Sequence, residues 1–380
     1  MTPHAPSRGD LASKGRLLFL APEAPTLGGG GGGLRSASLL EYLRARYTVD
    51  VATFTLRSHS KHPVVRVWRN VARLARGVPP LFDRFSGYES QIEEQMTSER
   101  YTAAVVEHFW CASYVRLLRT RCDHVVLDLH NIESELARTH TRAAGWPKSW
   151  ISRQFARDYE HLERSWLPEF NAVLVASEDD RRRIDHANMV VYPNAIPVLE
   201  RPAAQTPAHA ILFTGNLEYH PNVEAVRWFR YRVWPRICER VAGLEWRLAG
   251  VNAHAIERIV AGDPRIRVLG CVEDAVATLA QAKVAVVPLL SGSGTRFKIL
   301  EAWAAARAVV STTIGAEGLG ARSGEHLLIA DGAEAFASAV VRALEDETLA
   351  ARLGDAGREL YLERFTWPAA WRVLEASGVL

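Results

Sequence analysis

Short apolar runs recur along the chain, separated by stretches with apolar residues three and four apart. Residues 16–21 (Arg-Leu-Leu-Phe-Leu-Ala) read as a buried strand. Six glycines follow, Gly28 to Gly33, then helical spacing over 34–47 and a second strand over 48–54. This is a strand, glycine loop, helix and strand in succession. Further buried strands are predicted at 103–106, 125–129, 172–176 and 190–192, with helical stretches between them. Such alternation implies a parallel sheet covered on both faces.

The pattern pauses over 199–210, where Glu-Arg-Pro-Ala-Ala-Gln-Thr-Pro-Ala-His reads as a linker. A second series opens with Ile211-Leu-Phe-Thr-Gly215 and continues with strands at 245–249, 266–269, 284–287, 308–311 and 327–329. Helices are predicted at 331–345, 349–364 and 367–376. The chain thus reads as two doubly wound α/β halves, 1–198 and 211–364, joined by the 199–210 linker and followed by a last segment, 365–380. Ligands of such sheets sit at the carboxyl ends of the strands, so two halves predict a cleft between them.

Composition narrows the class. With 48% apolar and 23% charged residues the chain is expected to be globular rather than disordered. The early apolar run 17–22 is far shorter than the ~20 residues of a membrane span, and it lacks a secretory h-region. A balance of 46 Lys+Arg against 43 Asp+Glu excludes a polycation that coats nucleic acid. Cys111, Cys122, Cys238 and Cys271 are scattered, with no C-x-x-C, which argues against zinc and fits a reducing cytoplasm.

The glycine run matches G-x-G-x-x-G trivially, and Phe54-Thr55-Leu56 stands where a dinucleotide fold would place an acid for the ribose. It reads either as a loop that lets backbone amides approach a ligand or as a low-complexity loop. No P-loop motif is present. The densest chemistry is Ser291-Gly-Ser-Gly-Thr-Arg-Phe-Lys-Ile-Leu-Glu-Ala302, a strand end, a small-residue loop and a helix. Amides of Gly294, Thr295 and Arg296 would open that helix where its dipole favours an anion, with Arg296 and Lys298 beside it. Glu301 lies about two turns farther on an otherwise apolar helix, where a ribose diol could satisfy its carboxylate; the alternative is a solvent-facing side chain.

His130 and, more weakly, His108 follow strands, where binding residues gather; either could instead be a structural hydrogen-bonder. Asp179-Asp180 reads as a helix start after Ser177 rather than a metal motif. No metal site is expected. Residues 51–82 contain no acid but include Arg57, Lys61, Arg66, Arg69, Arg73 and Arg76, with Val67, Val71, Leu74 and Val78 opposite. This amphipathic stretch reads either as a membrane-surface helix, with Arg66, Arg69 and Arg73 facing anionic lipid, or as a solvated basic face with its valines packed on the sheet.

Residues 288–319, with Gly-Ser-Gly-Thr-Arg-Phe-Lys-Ile-Leu-Glu-Ala and Val-Val-Ser-Thr-Thr-Ile-Gly-Ala-Glu-Gly-Leu, resemble the donor-binding region of glycosyltransferase family 4. Asp128-Leu-His-Asn-Ile-Glu-Ser134, Tyr192-Pro-Asn-Ala-Ile196, Phe213-Thr-Gly-Asn216, Val268-Leu-Gly-Cys-Val272 and Phe365-Thr-Trp367 agree in order, so the likeness spans about 15–375. The resemblance implies a GT-B fold, two Rossmann-like domains facing a cleft, and a retaining, metal-independent transfer from a UDP- or GDP-linked sugar. It implies an acceptor-binding N-terminal half, a donor-binding C-terminal half and a last helix that crosses back to the first half. Glu301 would hold the ribose, and Gly294, Thr295 and Arg296 the diphosphate. Val272 would meet the base, Gly32 and Gly33 the diphosphate and sugar, and His130 the sugar or acceptor; Gly215 and Asn216 belong to the same donor site.

Two departures stand out. Ser293 occupies the position of the family's first Glu, and Asn216 and Pro221 those of its Arg and Lys. Arg296 and Lys298 are expected to replace the missing cations. The expected protein is a glycosyltransferase with a glycan, lipid-linked or small-molecule acceptor, cytoplasmic or peripheral at the inner membrane face. Alternatives are a non-catalytic nucleotide-sugar-binding subunit and a sugar-nucleotide epimerase on the same fold.

Overall fold

The computed structural model describes residues 15–26, 30–58, 60, 62–143, 148–203, 207–292 and 297–380. Its first sheet contains β1 (Arg16–Ala21), β2 (Thr48–Thr53), β3 (Ala103–Glu107), β4 (Val125–Leu129), β5 (Ala172–Val175) and β6 (Met189–Val191). The second contains β7 (Ala208–Thr214), β8 (Glu245–Ala249), β9 (Ile266–Gly270), β10 (Ala282–Val287), β11 (Ala308–Ser311) and β12 (Leu328–Ile329). The strand orders are β2-β1-β3-β4-β5-β6 and β12-β11-β10-β7-β8-β9, and every pairing is parallel. This is the expected pair of doubly wound α/β sheets.

Helices cover both faces of each sheet because the central strands are apolar on both sides. Leu17, Phe19, Val105 and Val126 pack on one face of the first sheet, and Leu18, Leu20, Val106 and Leu127 on the other. Each order reverses at one place: between β1 and β3 in the first sheet, and between β7 and β10 in the second. At such a reversal, chain leaves the two strands in opposite directions and opens a crevice at their carboxyl ends.

Three details depart from the sequence reading. Helix α1 (Gly30–Arg46) begins inside the glycine run, so Gly32 and Gly33 form its first turn instead of a loop. Gly28 lies outside the described residues. A Cβ on Gly33 would stand 2.8 Å from the Thr26 carbonyl oxygen, so this close approach accepts only glycine. β7 starts at Ala208, so the expected linker is shorter by its last residues, which join the sheet.

The third departure is α2 (Pro63–Arg76). Its apolar residues face outward: Val64, Val67, Trp68 and Val71 are 56%, 60%, 69% and 48% exposed. Arg73 is buried instead, its Nε donating to Asp83 Oδ2 at 2.8 Å, and Arg76 Nη2 reaches Asp83 Oδ1 at 2.7 Å. Each expectation for this stretch is therefore corrected at particular residues. Arg73 is not a surface cation, and Val67 and Val71 do not pack on the sheet. Asp83, just beyond the acid-free stretch, turns the helix by pairing with its arginines.

The last helix, α5 (Trp367–Ser377), lies on the first sheet's core through Trp367, Ala370 and Leu374. Trp371 Nε1 donates to Ser38 Oγ at 3.1 Å. Helices α3 (Glu133–Ala143) and α4 (Phe297–Ala304) follow β4 and β10 and carry site residues.

Candidate functional site

The chain folds so that both crevices collect its unusual polar residues. In the first half, β1 leads to Gly32 and Gly33, β3 ends at Glu107 and His108, and β4 leads to His130. In the second, β7 leads to Gly215 and Asn216, and β10 leads through Ser291 to Lys298 and Glu301 on α4. Val272 follows β9, its side chain partly buried against the second core. Ser293, Gly294, Thr295 and Arg296 lie outside the described residues. Leu34 of α1 packs against the cores of both halves. Arg183 Nη2 donates to Glu317 Oε1 at 2.9 Å between the halves.

Lys298, expected to replace a missing cation, lies beside the end of β7. Its Nζ donates to Asn222 Oδ1 at 2.7 Å and lies 4.2 Å from the centre of the Phe213 ring. A Cβ on Gly215 would be 3.2 Å from that Nζ, so the ammonium occupies the carboxyl end of β7. Asn216 is used locally: its Oδ1 accepts from the Glu218 amide at 3.0 Å and its carbonyl from Asn222 Nδ2 at 2.7 Å. Pro221 starts the next helix, His220–Trp228. These two positions build the turn that seats Lys298.

Glu301 is held in the same crevice. Burial pushes its carboxyl up to about 7, against the opposing effects of Lys298 and the Thr214 hydroxyl. A carboxylate so placed gains most from a ligand that supplies hydroxyl donors.

The first crevice contains more than the motifs point to. Arg35 of α1 is 1% exposed; its Nε donates to Asp128 Oδ2 at 2.9 Å, and its Nη1 to the Tyr192 carbonyl at 2.6 Å and Asn194 Oδ1 at 3.0 Å. Burial opposes the Asp128 charge, but Arg35 and His130 outweigh it and hold the carboxyl well below the usual range. His130 Nε2 lies 2.6 Å from Glu107 Oε2 and 3.3 Å from Asp128 Oδ2. Burial opposes the His130 charge too, yet Glu107 and Asp128 push the imidazole up to about 9. His108 stacks on Trp110 at 4.3 Å and lies tilted against His130 at 3.7 Å, with a positive φ of 65°. Burial and the neighbouring His130 charge hold its imidazole well below its usual value. Glu133 at the start of α3 is pushed up to about 8 by burial.

Motif reading misses Arg35 and Glu107, and gives Asp128, which stands in a quoted motif, no role. For the two acids the signal is a charge inside an apolar element: Ala-Ala-Val-Val-Glu in β3, Val-Val-Leu-Asp-Leu in β4. Asp179-Asp180 behaves as expected, with the Asp180 amide donating to Ser177 Oγ at 3.1 Å to open the helix Glu178–Arg183.

Two parallel α/β domains with polar crevices at their switch points define a GT-B protein. Residues 208–346 match the family model described as Glycosyl transferases group 1, which supports a glycosyltransferase of GT-B type. A Klebsiella pneumoniae protein known as an uncharacterized 44.6 kDa protein in the cps region is 27% identical over 139 residues, a match spanning 34% of this chain and 36% of that one. The chain thus matches about a third of that relative's length.

Among solved structures, a sucrose-phosphate synthase from Thermosynechococcus elongatus aligns with a TM-score of 0.68 at 16% identity, covering 95% of this chain and 98% of that one. Anabaena HepE, solved with UDP and glucose, gives 0.63 at 14%, covering 96% and 100%. An Escherichia coli trehalose-6-phosphate protein bound with UDP-2-fluoro glucose gives 0.63 at 14%, covering 96% and 98%. At these identities the likeness is one of fold.

Proposed function

We propose that the protein is a retaining glycosyltransferase that moves a sugar from a nucleoside-diphosphate donor, UDP-linked or GDP-linked, to an acceptor hydroxyl. The observation that carries this reading is the Lys298–Asn222–Glu301 group at the carboxyl end of β7. An ammonium beside Gly215 suits a diphosphate, and a partly buried carboxylate on the same helix suits the ribose diol. The UDP complexes of the HepE and trehalose-6-phosphate neighbours support a uridine donor.

In this reading the C-terminal half binds the donor and the N-terminal half the acceptor. Lys298, Arg296 and the amides of Gly294 and Thr295 stabilise the departing diphosphate without a metal ion. The acceptor hydroxyl attacks on the face the diphosphate leaves, and a phosphate oxygen takes its proton. Gly32 leaves room for the sugar in front of His130: a Cβ there would lie 3.6 Å from His130 Nδ1. The relative from a cps region supports polysaccharide assembly as the setting.

Calorimetry with UDP, GDP, ADP and dTDP tests the donor site. One diphosphate should bind, and Glu301→Ala should weaken it by about tenfold to a hundredfold through the lost charged hydrogen bonds. With UDP-glucose, whose diphosphate does not titrate near neutrality, affinity should rise as pH passes through about 7 and then level, because Glu301 must ionise to accept both hydroxyls; Glu301→Gln should flatten this dependence. Binding of no diphosphate by the wild type would sink the donor reading.

We also propose that a lipid surface is the setting for the acceptor, the protein remaining a cytoplasmic one that attaches peripherally. Among the described residues no helix is long and apolar enough to cross a membrane. The outward Val64, Val67, Trp68 and Val71 of α2, flanked by exposed Arg66 and by Arg69 in an acid-free stretch, suit the boundary of an anionic bilayer. The wild type should sediment with phosphatidylglycerol vesicles, and Val67→Ser with Trp68→Ser should weaken this by roughly tenfold or more. Wild-type protein that stays in the supernatant would end this idea. Arg73 is no part of the test, since its loss would break the pair with Asp83.

A further inference from the structure

The buried cluster behind Gly32 carries an unbalanced charge unless His130 is protonated. Arg35 and Asp128 cancel one another. Glu107 remains, fully buried, its Oε2 bonded to His130 Nε2 and to the Ser36 hydroxyl. Its Oε1 is buried without a hydrogen bond among the described residues. A lone buried carboxylate is costly, so the site favours one further proton.

Geometry decides where that proton acts. Nε2 of His130 faces two carboxylates, Glu107 Oε2 at 2.6 Å and Asp128 Oδ2 at 3.3 Å, and so is the donor to them. The other ring nitrogen, Nδ1, is turned toward Gly32 at the start of α1. Glu107 competes for this proton, since burial pushes its carboxyl up while the His130 charge opposes that. The remaining groups around the ring do not compete. His108, tilted against it from the end of β3, is held well below its usual value by burial and by the His130 charge. Glu133 on α3 is pushed up to about 8 by burial and carries little charge at neutral pH. Glu107, His108 and His130 offer metal-ligand atoms within 4.8 Å of one another. The Glu107 oxygen and His130 nitrogen are hydrogen-bonded to each other.

We propose that Glu107 is a positioning residue: it keeps His130 as an imidazolium whose Nδ1–H points past Gly32 into the space between the two halves. There the ring presents a cationic donor to a sugar hydroxyl or to the phosphate that leaves it. It thereby adds a third positive group, from the opposite domain, to a cleft whose usual Arg and Lys positions hold Asn216 and Pro221. What the proton serves rests on the donor reading above; its presence does not.

Long-range proton–nitrogen correlation spectra of the histidine rings test this, with His130→Asn supplying the assignment. Wild-type His130 should keep both ring protons at about pH 7.5 and titrate above about pH 8. Glu107→Gln should lower that midpoint by about one unit or more, a tenfold loss of proton affinity. A neutral wild-type His130 at pH 7.5 overturns the proposal without any variant, which covers the case in which Glu107→Gln does not fold. An unchanged midpoint in a folded Glu107→Gln also overturns it.

The aim of the proton is read from UDP-glucose calorimetry over the same range. Wild-type affinity should hold until His130 loses its proton, and in Glu107→Gln it should fall at lower pH. Identical profiles would remove the role toward the ligand. Should UDP-glucose not bind at all, the donor reading fails while the ring titration still decides the role of Glu107.

Discussion

Arg35→Ala should lower the unfolding free energy by about 3–5 kcal/mol, because it leaves Asp128 charged and buried with its main partner gone. The pair lies between α1 and β4, at 1% and 0% side-chain exposure, and the same guanidinium ties down the Tyr192 carbonyl and Asn194. A cycle with Asp128→Ala should show a coupling of roughly 1–3 kcal/mol. The sign of the pH dependence follows from Asp128. Its folded-state value is depressed, so its stabilisation is present above the unfolded value near 4 and is lost as pH falls through the folded value. Without Arg35 that depression is largely removed. The gap between wild type and variant should therefore hold from neutrality down to about 4 and narrow below it. Guanidinium unfolding at several pH values reads both effects, and a gap that widens on acidification would contradict them.

Lys298→Ala should weaken binding of the diphosphate donor by roughly tenfold to a hundredfold, the worth of one charge-assisted contact. Asn222→Ala should have a smaller effect in the same direction, since Asn222 holds the ammonium but carries no charge. Arg296→Ala combined with Lys298→Ala should remove both proposed replacements for the cations missing at Asn216 and Pro221. Calorimetry decides: donor binding unchanged in the double variant would mean that these residues do not hold the diphosphate. Far-ultraviolet dichroism guards against misfolding, for which the risk is low because Lys298 is only partly buried.

Glu301 and Glu107 show how unevenly a site can be read from sequence. Glu301 stands in a recognisable string, Phe-Lys-Ile-Leu-Glu, so its place on a helix after a strand follows from local pattern alone. Glu107 stands in no motif. It ends a buried strand, and only the β1-β3-β4 order brings it beside Ser36, Asp128 and His130, residues of α1 and of the β4 end. Helix α2 shows the limit from the other side. Its amphipathic pattern separates arginines from valines correctly, but a pattern of period 3.6 does not say which face meets the protein. Asp83, packed beneath Arg73 and Arg76, decides that.

The apolar runs by themselves determined the two parallel sheets, because strands buried on both faces must be apolar along their length and helices must return the chain between them. The sequence also determined which strand ends carry glycine, His130, Lys298 and Glu301. Tertiary structure alone decided what these groups do to one another. Charge compensation among Arg35, Asp128, Glu107 and His130, and the seating of Lys298 beside Gly215, depend on distances of a few ångströms between segments far apart in the chain. Electrostatic effects at that range follow the order of strands in a sheet, which no local pattern encodes.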